Sequence, residues 1–146
     1  MEAAFIELTV PGRPVAKARP RWDIRNAHMY TPERTRNAEE IMRGAMREAC
    51  SVPLTGALEL GVKFCFQRPS NWAKSRRDAI DNGEEPWHEV KPDRDNLLKL
   101  VKDAGNGVLW GDDAQIVTGP TDKVYSACNQ TVITLRALEP QLLKRN

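Results

Sequence analysis

The chain has few of the residues that staple, anchor or ligate soft metals. Of 146 residues, three are cysteines (Cys50, Cys65 and Cys128) and two are histidines. The cysteines are odd in number and far apart, with no C-x-x-C and no Cys/His set at zinc-ligand spacing. That excludes a disulfide framework and a zinc cluster, and predicts three reduced, partly buried thiols of the kind found in a reducing compartment. No apolar run approaches the roughly 20 residues of a membrane helix. The first residues, MEAAFIELTV, have neither a basic leader nor a signal-like core. Internal repeats and low-complexity tracts are absent. These features predict a soluble intracellular protein without a membrane partner.

Net charge is only +2, so the sum says little about partners. Its distribution says more. Between Pro11 and Arg36 stand Arg13, Lys17, Arg19, Arg21, Arg25, Arg34 and Arg36, opposed by Asp23 and Glu33 alone. A second basic patch holds Arg68, Lys74, Arg76 and Arg77, while acids collect at 39–48, 84–89 and 93–113. Segregation of this kind can attract a polyanion. It is equally what ordinary solvated faces look like, and charge alone does not choose between the two.

The pattern of apolar residues predicts one α+β domain over 1–138, a small mixed or antiparallel sheet with helices packed on one side, and a polar tail at 139–146. Strands are predicted over Ala3–Val10 and, most clearly, Ala57–Gln67, whose Phe64-Cys65-Phe66 centre implies burial on both faces. A helix is predicted from Thr31 as N-cap and Pro32 as first helical residue to about Ala49, with Ala38, Ile41, Met42, Ala45, Met46 and Ala49 on its apolar face. Residues 70–86 read as a surface insertion with a short helix at about Asn71–Asp81. A further helix spans Asp95–Asn106 and ends at Gly105-Asn106-Gly107. Gln115–Val124 and Asn129–Ala137 read as two strands of one hairpin.

The segment Lys91-Pro92-Asp93-Arg94-Asp95-Asn96-Leu97-Leu98-Lys99 demands a chemical explanation. Pro92 keeps Lys91 out of the helical region, so the chain arrives extended. Asp93 and Asp95, two apart in that stretch, can point the same way. Lys99, four past Asp95, shares its helical face. Asp112-Asp113 lies in a loop and offers a third carboxylate. Crowded carboxylates repel, and a divalent cation relieves that conflict. All-oxygen donors favour Mg²⁺ or Mn²⁺, which suit phosphodiester hydrolysis. In such a site Lys99 would meet the charge of the transition state or position the attacking water. Each piece also has a plainer reading. Asp95 could be an N-cap, Asp95 and Lys99 a surface pair contributing roughly 0.3–0.5 kcal/mol, and Asp112-Asp113 turn residues. An EF-hand fails, because its sixth position requires glycine and Lys99 stands near there.

Taken in order, KPDRDNLLK (91–99), DAGNG (103–107), Trp110 and DDAQ (112–115) resemble the RusA family of Holliday-junction resolvases of phages and prophages. That family carries KPDxDNLxK, D-A-x-N-G, an aromatic residue and D-D-x-Q. VPGRPVAKARPR (10–21), YTPE (30–33) and Lys123 are similar to it as well. The resemblance implies a RusA-like fold and a homodimer in the cytoplasm of a bacterium or phage-infected host, cutting four-way DNA junctions with Mg²⁺ or Mn²⁺. It places catalytic acids at Asp93, Asp95 and Asp113, all three as metal ligands, and a catalytic lysine at Lys99; Asp112 is a further candidate acid. Phosphate contacts fall to Lys17, Arg19, Arg21 and Arg25, then Arg68, Arg76, Arg77 and Lys91. Gly105, where the family often has a larger apolar residue, and Arg94, between the two key acids, depart from the pattern without removing a catalytic group. A nuclease for flapped or otherwise branched DNA is the alternative enzyme. A non-catalytic DNA-binding protein would leave the acidic cluster unexplained.

Overall fold

The computed structural model describes residues 4–140. The central strand β4 (Leu58–Gln67) is the most apolar run, and its even positions Leu58, Leu60, Val62, Phe64 and Phe66 are all buried. On one side β4 pairs antiparallel with β7 (Gln130–Ala137), which in turn pairs antiparallel with β1 (Phe5–Pro11). The register sets Leu8, Ile133 and Val62 side by side on one face. Two helices cover that face: α1 (Glu33–Ala49) through Met42 and Met46, and α3 (Arg94–Gly105) through Leu97, Leu100, Val101 and Ala104. Each of the Met, Leu and Val side chains among them contributes about 1.5–3 kcal/mol by leaving water. On its other side β4 pairs in parallel with β5 (Ile116–Thr118) and β6 (Thr121–Ser126). Parallel neighbours need a crossover, and here it contains α2 (Lys74–Asp81) and α3.

The architecture is the expected one, a single α+β domain with a mixed sheet, but two pairings differ from expectation. The predicted strand 115–124 is broken at Gly119-Pro120, after a 3₁₀ turn at Asp113–Gln115. Gly119 has φ +133°, and a Cβ there would lie 1.8 Å from the Leu60 carbonyl oxygen, so the two chains touch backbone to backbone. Nor do the last two strands form a hairpin. β6 and β7 take opposite edges of β4, which fills the place between them.

Helix α1 starts one residue later than predicted. Pro32, with ψ 141°, occupies the cap position, and no side chain, Thr31 included, caps the helix. Ile41, assigned to its apolar face, is 62% exposed. The 70–86 segment lies on the surface yet is anchored: Ile80 of α2 is buried, and the Trp72 ring meets Tyr125 edge-on at 4.6 Å. All three cysteines are free thiols. Among the described residues no helix is long and apolar enough to cross a membrane. The predicted strand start at Ala3 and the tail beyond residue 140 lie outside the described residues.

Candidate active site

The acidic segment is held from both sides before α3 begins. Trp87 and His88 run along β6, with the His88 amide donating to the Lys123 carbonyl at 3.0 Å and the Tyr125 amide to the Pro86 carbonyl at 2.8 Å. The Lys123 ammonium donates to the Val90 carbonyl at 2.6 Å. Burial pushes its pKa down, partly offset by the Asp93 charge beside it. After a cis Lys91–Pro92 bond, Asp93 caps α3, one carboxylate oxygen accepting from the Asp95 amide at 2.8 Å. The cap is therefore Asp93, not Asp95. Folding its carboxylate back on the first turn satisfies an otherwise orphaned amide and brings Asp93 against Asp95. Asp95 and Lys99 are exposed one turn apart. Among the described residues they form no ion pair, so both charges are unspent.

The second acidic pair divides its work. Asp112 forms a capping box: its carboxylate accepts from the Ala114 amide at 2.9 Å, and its own amide donates to Gln115 Oε1 at 3.0 Å. Gln115 Nε2 ties this turn to the Leu54 and Gly56 carbonyls, each at 3.0 Å. Asp113 is half-buried at the start of the 3₁₀ turn, which touches α3. Buried Trp110 fixes the approach, its Nε1 donating to Asn106 Oδ1 at 2.8 Å. The Trp110 ring fills the space a side chain at Gly105 would need, with Cζ2 at 2.3 Å from a Cβ built there.

The structure thus brings Asp93, Asp95 and Lys123 together. It does not gather Asp93, Asp95 and Asp113 into one ligand group: among the described residues no three His, Cys, Asp or Glu side chains are placed to hold a metal ion. The donors at the head of α3 are nevertheless the right kind. Two exposed carboxylates, all oxygen and lacking an ion-pair partner, suit a hard cation that completes its shell with water and substrate phosphate.

Beside these acids a cavity of about 670 Å³ is lined by Arg13, Arg21, Arg34, Lys91, Asp93 and Asn96. The N-terminal arm forms one wall. Its Lys17 amide donates to the Asn96 carbonyl at 2.9 Å, and its Ala18 amide to the Thr35 hydroxyl at 3.3 Å. Arg13 and Arg34 were missed as site residues because nothing in their local sequence sets them apart from other surface arginines. Also missed was a hairpin of β2 (Arg21–Asp23) and β3 (His28–Tyr30). Its Asp23 and Asn26 are turn residues that could have flagged it.

Several expected phosphate contacts are otherwise engaged. Lys17 is no free cation, since its ammonium sits 2.9 Å from Glu39 and 3.1 Å from Asp103, joining α1 to α3. Burial opposes its charge, but those two carboxylates prevail and raise its pKa. Arg68 grips Asp81 through two nitrogens at 2.9 and 3.0 Å. Arg76 lies on the Trp72 ring at 3.6 Å, and Arg77 is half-buried with its Nε unpartnered. Arg19, Arg21, Arg25 and Lys91 remain exposed, and among the described residues none of them forms an ion pair.

The chain is 34% identical over 137 residues, 90% of its own length and 95% of the relative's, to the uncharacterized protein YqaN of Bacillus subtilis strain 168. Residues 11–136 match the family of the endodeoxyribonuclease RusA, a span running from the arginine-rich arm through both acidic pairs to the last strand, and the chain therefore belongs to that family of nucleases.

Proposed function

We propose that this chain is a Mg²⁺- or Mn²⁺-dependent endonuclease that cuts four-way DNA junctions as a homodimer. One observation carries the reading: of two carboxylates at the head of α3 that form no ion pair among the described residues, Asp93 lines an arginine-rich cavity and Asp95 stands beside it. Acids facing a phosphate-binding surface repel the ligand unless a cation lies between. The free oxygen of Asp93 and the carboxylate of Asp95 would hold that cation, and Asp113, which stands apart from them in this structure, would complete the set as the third donor. When bound, it supplies a neutralised phosphate and an acidified water.

The chain's own residues do the remainder. Arg21 and Lys91 hold the phosphate backbone against the cavity wall. Lys99 offers an unspent positive charge where negative charge grows on the phosphoryl oxygens as water adds to phosphorus and one P–O ester bond breaks. Lys123 fixes the Val90 carbonyl and hence the arrival of Asp93. Asp112 supports the turn that presents Asp113. Four-way junctions have two-fold symmetry, and a homodimer with one site per chain supplies two symmetric cuts.

Cleavage of a four-way junction, a flap and a plain duplex, each with Mg²⁺ and with EDTA, tests the proposal. The junction is expected to be cut in Mg²⁺ alone, with the duplex spared. Cutting in EDTA would refute the metal site, and equal cutting of all three would refute the substrate.

A further inference from the structure

The β2–β3 hairpin holds apolar side chains in water. Trp22 and Met29 stand opposite one another on one face, each 56% exposed, and Ile24 at the start of the turn is 86% exposed. A globular core would bury these residues, so their exposure calls for a ligand. Flanking them along the chain are Arg19, Arg21 and Arg25, exposed and free of ion pairs among the described residues. Asp23, the hairpin's one acid, turns both oxygens inward: Oδ1 accepts from the Arg25 and Asn26 amides at 2.9 and 3.4 Å, and Oδ2 from Asn26 Nδ2 at 2.9 Å. The hairpin thus presents an apolar, aromatic face in a positive rim with little opposing charge.

Its place in the fold is set. The Lys17 and Ala18 amides pin its stem to α3 and α1, and Arg21 at its base shares the cavity with Asp93 and Lys91. Resting on the branched-DNA reading of that site, we infer that this hairpin is the element that stacks on bases exposed at the branch point. A base has an apolar face and is flanked by phosphates, which is the complement of Trp22 flanked by arginines. A continuous duplex hides its base faces and would meet the arginines alone. A second copy fits less well. Two hairpins meeting about a two-fold axis would set like charges against one another.

The test uses the intact chain in EDTA. A four-way junction carries 2-aminopurine next to the branch point, and a linear duplex of the same sequence serves as control. The wild-type chain is expected to change the junction fluorescence and leave the duplex signal alone. Trp22→Ala should abolish that change and weaken junction binding about tenfold, with duplex binding altered less than about twofold, and Trp22→Phe should restore most of both. Because Trp22 is exposed, neither variant threatens the core. Equal losses on both DNAs, or no loss, would overturn the inference. So would a fall in sedimenting mass of Trp22→Ala without DNA, which would assign the face to a second copy. A wild-type chain that binds junction and duplex equally overturns the branched-DNA reading and this inference with it; a retained junction preference in Trp22→Ala overturns the inference alone.

Discussion

Asp112 spends one carboxylate oxygen on the Ala114 amide and its own amide on Gln115, whereas the Asp113 carboxylate beside it makes no such bond among the described residues. Local chemistry offers two identical side chains there; the family resemblance favours Asp113, and the turn gives Asp112 a structural task. Asparagine caps as well as aspartate. Asp112→Asn is therefore expected to keep both fold and cutting, and Asp112→Ala to lose on the order of 1 kcal/mol of stability in urea titration. Asp113→Asn should keep its stability and lose cutting on the order of a hundredfold. The reverse pattern, with Asp112→Asn inactive and Asp113→Asn active, would move the third ligand by one residue. The same blindness affected the cations. Lys17 and Arg19 look alike in a basic run, but one meets Glu39 and Asp103 across the fold and the other faces water. Pairing between distant residues leaves no trace in local spacing, so three of the eight expected phosphate contacts, Lys17, Arg68 and Arg76, looked like free cations although they form structural ion pairs or a stack.

Elements were easier to read than their pairings. β4, α1 and α3 follow from periodicity, because each buries a repeating face. The partner of a strand does not follow, because a run of alternating residues pairs equally well on either edge. The break at Gly119 shows what the pattern omits. Its signal is one Gly-Pro pair, and its cause is the Leu60 backbone on another strand. Gly119→Ala is expected to cost about 1–3 kcal/mol or more, since neither the Leu60 carbonyl nor a φ of +133° can give way. Gly61→Ala is the control: its new Cβ would meet the Thr134 hydroxyl at 2.5 Å, a side-chain end that can rotate aside. Urea midpoints for the two variants decide it, and an undisturbed Gly119→Ala would mean the strand junction slides. The KPDRDNLLK string was legible for a related reason. Its capping acid, its helix and its charges are all local, so one stretch of sequence encodes the α3 end of the site. Asp113 and the cavity walls come from elsewhere in the chain, and their approach depends on the tertiary fold.

At the scale of the whole molecule the proposal makes a demand that no single chain can meet. Resolution of a junction requires two cuts, and each chain offers one pair of acids at one helix head. If two chains act about a two-fold axis, a dimer with one wild-type and one Asp95→Asn subunit holds one working site. On a supercoiled plasmid with an extruded cruciform, the wild-type dimer should cut both strands before the cruciform is lost and release linear DNA. The mixed dimer should nick one strand, the superhelical tension should dissipate, the cruciform should be reabsorbed and the product should stop at nicked circles. Two differently tagged subunits, co-expressed and purified through both tags, provide the mixed species. Linear product from it would mean that one site serves both strands in turn. A wild-type chain that sediments as a monomer while still linearising the plasmid would remove the dimer altogether. In either case the chemistry assigned to Asp93, Asp95 and Lys99 would stand, because nicking requires one site and linearisation requires two cuts.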